Sequence, residues 1–254
     1  MKNLLKDSLR KGIVAFGVFV QIGHPDITEI LSTLGFDWIV LDAEHGPLGF
    51  ETMQIMLQAM SGNKTIPIIR VPWNDPVSIK RALDIGAYGL LIPLVSSRRE
   101  AEDAVRAMRY PPLGIRGVGP RRASRYFLDF KEYVSTADNE LLTIVQIETK
   151  EALNNISEIL SVDGVDAYFL GPADLSSALG QIGEFQHQEV EEAIMKTLEA
   201  GKKAHKIGGI YGLGMDDVQR RIEQGFQFIA IGSDTRFLVG SALESLNKIR
   251  GFIK

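Results

Sequence analysis

The chain has no cysteine at all. That absence excludes disulfides, thiolate metal sites and a cysteine nucleophile, and it fits a reducing cytosol. Long apolar runs are missing too, since no stretch approaches the ~18–20 residues needed to cross a bilayer. The opening segment "MKNLLKDSLRKG" lacks the apolar centre of a secretion signal. A cytoplasmic protein without a membrane partner is the expectation. There is no basic surplus either: the net charge is −4 and the pI is near 5.7, which argues against a nucleic-acid partner. Low-complexity linkers are absent, so nothing divides the 254 residues into separate units.

What is present is a rhythm of apolar runs and amphipathic segments. The runs are "IVAFGVFV" (13–20), "DWIVLDAE" (37–44), "IPIIRVP" (66–72), "GLLIPLV" (89–95), "LLTIVQIE" (141–148), "VDAYFLG" (165–171), "IGGIYGL" (207–213) and "FQFIAIG" (226–232). They are apolar on both faces, as parallel strands covered by helices must be. Helical patterns such as "PDITEILSTLG" and "PVSIKRALDIG" lie between them, and several end in Gly. Eight β-α units in about 250 residues predict a (β/α)₈ barrel forming one domain over 1–254. A doubly wound sheet is the alternative, but the turn after the first strand, "QIGHPDIT", is not the G-x-G-x-x-G common there. The longest interruption is the stretch 109–130, which holds Arg116, Arg121, Arg122 and Arg125.

Barrels of this kind carry their chemistry at the C-terminal ends of the strands. Those positions hold Asp42, Glu44 and His45 after strand two, and Arg70 in strand three. Gln146 and Glu148 follow in strand five, and Asp174 just beyond strand six. Two carboxylates from neighbouring strands, Glu148 and Asp174, suit a hard divalent cation such as Mg²⁺ or Mn²⁺, with Co²⁺ also accommodated. A 2-oxo acid chelating that ion would place its ketone oxygen within reach of Arg70. The "GPAD" turn opens a helix whose free N–H groups suit a carboxylate. His45 has the pKa range to move a proton near neutrality.

The segments "FDWIVLDAEHGP", "RVPWNDPVSIKRALDIGAYGLLIP", "YPPLGIRGVG", "VQIET", "GPADLS" and "IGSDT" closely resemble the HpcH/HpaI aldolase family. These are metal-dependent (class II) pyruvate aldolases, among them the 2-dehydro-3-deoxyglucarate and 4-hydroxy-2-oxoheptanedioate enzymes. The resemblance implies Glu148 and Asp174 as metal ligands and Arg70 on the pyruvyl carbonyl. It implies His45 in proton transfer supported by Asp42 and Asp84, with Gln146, Gly171, Ala173 and Asp174 lining the pyruvate site. It also implies a hexamer of dimers that exchange a C-terminal helix, for which the tail 235–254 has suitable apolar spacing. One position departs: Tyr88 stands where members commonly carry Gln, at a subunit contact or the rim of the site.

Each residue has a duller reading beside the functional one. His45 before Gly-Pro suits a turn, Glu148 a helix start, and Asp174 an N-cap. Arg70 at a strand end is more often salt-bridged than a substrate clamp, and Asp84 inside a helical pattern more often faces solvent. His24, His187 and His205 read as surface or capping residues. Two other functions remain open on the sequence. One is an acyl-CoA-using carbon–carbon lyase or synthase, with the Arg116–Arg125 stretch meeting the CoA phosphates. The other is a non-catalytic 2-oxo-acid binder.

Overall fold

In the computed structural model, which describes residues 2–252, eight parallel strands close into a barrel in chain order. They are β1 (Ala15–Val20), β2 (Trp38–Asp42), β3 (Ile66–Arg70), β4 (Gly89–Ile92), β5 (Leu142–Gln146), β6 (Ala167–Leu170), β7 (Ile207–Tyr211) and β8 (Phe228–Ser233). Helix α1 (Leu4–Arg10) precedes the barrel. The outer helices are α2 (Pro25–Thr33), α3 (Phe50–Ala59), α4 (Pro76–Asp84), α5 (Arg98–Met108), α6 (Phe130–Glu140), α7 (Lys150–Asn154), α8 (Ile156–Leu160), α9 (Pro172–Ala178), α10 (Gln188–Lys203) and α11 (Met215–Gln224). Helix α12 (Asp234–Gly251) follows β8. Every strand pairs in parallel with its neighbours, and β1 closes on β8. The (β/α)₈ reading therefore holds and the doubly wound alternative falls.

Local chemistry sets the element ends. Helix α4 begins at Pro76, whose missing N–H costs nothing there. Asp75 caps it by accepting from the Val77 and Ser78 N–H groups at 2.9 and 3.0 Å. Helix α11 stops at Gly225, whose φ of +107° only glycine adopts freely.

The two-residue period of the strands sorts the core into two layers. Ile39 and Leu41 point outward to the helices, whereas Trp38 and Val40 fill the barrel with Ile66, Ile68, Ile144, Phe169 and Phe228. Trp38 stacks on Phe228 at 4.0 Å and lies against Gly17, where any Cβ would sit 2.0 Å from the indole. Leu5 and Leu9 of α1 join this inner layer and close the N-terminal end of the barrel. The C-terminal end stays open. Each inward series therefore terminates in whatever the sequence places last: Asp42 after Trp38 and Val40, Arg70 after Ile66 and Ile68, Gln146 after Leu142 and Ile144.

The strands are shorter than their apolar runs predict, and in two of them this moves site residues into loops. Strand β2 stops at Asp42, so Glu44 and His45 lie in the following turn, and β5 stops at Gln146, two residues before Glu148. The Asp42 carboxylate turns the chain by accepting from the backbone N–H groups of Glu44 and His45, both at 3.2 Å.

Candidate active site

The open end holds a cavity of about 680 Å³ lined by Phe19, Gln21, His45, Arg70, Gln146, Phe169, Gly171, Ala173, Asp174 and Tyr211, among others. Arg70 is the hub. Its Nε and Nη2 donate to Asp42 Oδ1 and Oδ2 at 2.9 and 2.8 Å, a bidentate fork inside the barrel. Burial alone would push the Asp42 carboxyl up. The Arg70 fork, the Gln21 amide and the His45 N–H outweigh it and hold the carboxyl below its ordinary range.

The remaining Arg70 nitrogen, Nη1, faces Glu44 Oε2 at 3.1 Å and Gln146 Oε1 at 3.5 Å. The Gln146 amide donates to Glu148 Oε2. Glu148 Oε1 accepts from the Leu94 N–H at 2.6 Å. Asp174 stands over Gly171: a Cβ there would lie 2.8 Å from Asp174 Oδ2 and 3.9 Å from the Gln146 amide nitrogen. One end of the barrel thus gathers Asp42, Glu44, Glu148 and Asp174 around the Arg70 guanidinium.

That imbalance shows in the acids. Burial pushes the Glu44 carboxyl up to about 7, against the pull of Arg70 and with the repulsion of Glu148, Asp42 and Asp174. Burial also raises Glu148, helped by Asp174 and opposed by the Leu94 N–H. Glu44 Oε2 is buried without a hydrogen bond. An uncompensated set of hard oxygen donors is what a divalent cation with open positions requires. Glu148 and Asp174 fit that role; among the described residues no third His, Cys, Asp or Glu completes a protein-only cage.

His45 lines the same cavity with an exposed imidazole, its Nε2 3.9 Å from Glu44 Oε2. The sequence places Glu44 at this mouth beside His45 but assigns it no role; the structure gives it one as the buried acid facing Arg70. Asp174 is not an N-cap, since Gly171 holds that position and Asp174 sits in the first turn of α9. Thr149, not Glu148, caps α7. His24 and His187 do cap α2 and α10.

Asp84 is not brought to this mouth within the chain. It is the last residue of α4, which runs back to the closed end of the barrel, and its Oδ1 accepts from Arg116 Nη2 at 2.7 Å. Tyr88 lies at that closed end as well, its carbonyl accepting from the Asn3 amide, so it does not rim this chain's mouth. The arginine stretch is there too. Arg116 is buried over the Tyr110 ring, and Arg122 donates to the carbonyls of Ile85 and Leu57. Arg116 and Arg122 are thus committed to structure, while Arg121 and Arg125 stay exposed, Arg125 beside Asp129; none of the four lines the Arg70 cavity.

Among the described residues no lysine lines the cavity. Burial lowers the pKa of Lys6, as a Schiff-base amine requires. Yet its Nζ donates to the Leu141 carbonyl and to Asp166 at the closed end.

The molecule is similar to known proteins along nearly its full length. A 4-hydroxy-2-oxo-heptane-1,7-dioate aldolase of Salmonella typhimurium is 43% identical over 244 residues, covering 95% of this chain and 92% of the relative. An HpcH/HpaI aldolase/citrate lyase family protein from Burkholderia cenocepacia superposes with a TM-score of 0.95 at 32% identity, covering 98% of this chain and 100% of that one. A citrate synthase superposes with a TM-score of 0.89 at 28% identity, covering 97% of each chain. The profile of the HpcH/HpaI aldolase/citrate lyase family matches residues 15–240, and the chain belongs to that family.

Proposed function

We propose that the protein is a class II aldolase that cleaves a 4-hydroxy-2-oxo acid, of the 2-keto-3-deoxy sugar acid or 4-hydroxy-2-oxoheptanedioate type, to pyruvate and an aldehyde. The observation that carries this reading is the convergence of Arg70 with four carboxylates on one mouth, in a chain 43% identical to such an aldolase. A divalent ion, Mg²⁺ or Mn²⁺, held by Glu148 and Asp174 supplies Lewis acidity toward the ketone of the 2-oxo acid.

The chain's own groups do the rest. Arg70, locked by Asp42, aims Nη1 at the oxygen where enolate charge develops, a preorganised donor of the kind worth ~10²–10³ in rate. Gln146, Gly171, Ala173 and Asp174 bound the pyruvyl half. His45 takes the proton from the C4 hydroxyl, the C3–C4 bond breaks, and its electron pair becomes the pyruvate enolate. His45 then returns the proton to C3. Asp42 supports this by fixing Arg70 and the turn that carries His45. Asp84 has no part in it within one chain.

The test is pyruvate release from a panel of 4-hydroxy-2-oxo acids. Activity is expected to vanish with EDTA, to return with Mg²⁺ or Mn²⁺, and to resist borohydride added with pyruvate. Activity after exhaustive chelation, or pyruvate trapped on a lysine, overturns the mechanism. A second reading, a citrate-forming carbon–carbon synthase, draws on the likeness to a citrate synthase; it predicts no pyruvate from any member of the panel. A pure 2-oxo-acid binder would bind pyruvate and turn nothing over.

We read the enzyme as a homo-oligomer, a hexamer of helix-exchanging dimers, because α12 projects with its apolar side chains uncovered. We place it in the cytoplasm on the absence of cysteine. No helix among the described residues is long and apolar enough to cross a membrane.

A further inference from the structure

The catalytic cavity has a second pole that the reaction at Glu148 and Asp174 does not use. Its wall on the β7 and β8 side consists of Tyr211, Leu213, Ser233, Thr235 and Arg236, with Phe185 from the connection before α10. Arg70 lies 5.1 Å over the Phe19 ring, Phe19 packs 5.6 Å from Tyr211, and Arg236 lies 5.9 Å over Tyr211. Two guanidiniums therefore stand at opposite ends of a stripe of two aromatic rings.

Their circumstances differ. Arg70 is neutralised by its fork to Asp42. Arg236 is exposed and pairs with no acid among the described residues. The neighbouring Asp234 makes no ion pair with it among the described residues; its carboxylate accepts from the backbone N–H groups of Gln21, Ile22 and Thr235. Arg236 also occupies the first turn of α12, where the helix dipole disfavours a cation and sequences usually place an acid. A positive charge set against local preference, unpaired, and opening into the active cavity is poised for an anion carried by the substrate.

We propose that Arg236 is the specificity-determining residue for the aldehyde half, its guanidinium engaging a carboxylate at the far end of a 4-hydroxy-2-oxo dioic acid. The methylenes between the reacting carbons and that carboxylate lie along Tyr211 and Phe185. The enzyme is then selective for aldehydes with a terminal acid over uncharged aldehydes of the same length. This rests on the aldolase reading above.

A matched pair of substrates tests it: 4-hydroxy-2-oxoheptanedioate and 4-hydroxy-2-oxoheptanoate, which differ only at the terminal carbon, with pyruvate release followed on the Mg²⁺-loaded enzyme. The unmodified enzyme should prefer the dioate, and added salt should shrink that preference. Arg236→Ala should lower kcat/KM for the dioate by about 10- to 100-fold, mainly through KM, and so collapse the ratio between the two substrates. Arg236→Lys should restore part of it. An unmodified enzyme without the preference, an unchanged ratio in Arg236→Ala, or a parallel fall for both substrates would overturn the proposal. No pyruvate from either substrate with the unmodified enzyme would overturn the aldolase reading and this inference together, so the two failures are told apart.

Discussion

At the scale of single residues, Glu44 is the most informative side chain in the mouth. Its carboxyl is shifted from an ordinary 4.5 to about 7 because burial and three nearby carboxylates outweigh Arg70. In the unfolded chain it gives up its proton near 4.5, while in the folded, metal-free protein it holds that proton to about 7. Stability from the protonated form is then fully present below 4.5 and is lost as pH rises through about 7. Glu44→Gln removes this loss. The thermal midpoint of the chelated variant is expected to fall less between pH 4.5 and 7 than that of the unmodified protein, in differential scanning calorimetry. Identical slopes would mean that Glu44 is already ionised in the fold. The sequence did show a histidine and two acids after an apolar run. It did not show which acid is locked to Arg70 and which is left over, because that depends on β3 lying beside β2 in register, with Asp42 opposite Arg70.

At the scale of elements, strand alternation explains why so much of the site was legible. Once the runs are read as parallel strands, their last inward residues must meet at one end, and Asp42, Arg70 and Gln146 follow. Asp84 and Arg116 were not legible in the same way. Their positions depend on the direction in which α4 returns and on how the stretch 109–130 folds onto it, which no period encodes. The β6–α9 junction makes the point testable. Gly171 has φ −98° and ψ 103°, which alanine also adopts, so the substitution adds no backbone strain. A methyl group there would lie 2.8 Å from Asp174 Oδ2 and force the carboxylate aside. Gly171→Ala should therefore keep its fold and thermal midpoint but bind Mn²⁺ about 10- to 100-fold more weakly by calorimetry, the usual scale for disturbing what orients a ligand. Unchanged Mn²⁺ affinity would remove Asp174 from the ligand set.

At the scale of the whole molecule, one helix is unaccounted for. A barrel of this type ordinarily covers each flank with the helix that follows the strand. Helix α12 follows β8 yet buries only Asp234. Phe237, Leu238, Leu243, Leu246 and Ile249 face outward along a rod of 18 residues, about 27 Å long. A groove of about 500 Å³ lies open between α2 and α11, lined by Phe16, Leu34, Phe36, Val218, Ile222 and Ile231. In the exchange proposed above, a second copy's α12 would meet both needs at once, and a two-fold contact would be reciprocal. Fully burying several such side chains would contribute roughly 1.5–3 kcal/mol each, a gain set against the cost of association. Leu243→Asp sets a charge on that face, which is costly to bury unpaired, and lies outside the cavity residues. Sedimentation velocity should show an assembly smaller than that of the unmodified protein, with the barrel's circular dichroism retained. If the variant sediments like the unmodified protein, or if the unmodified protein is already monomeric, α12 is not exchanged and its apolar face awaits another account.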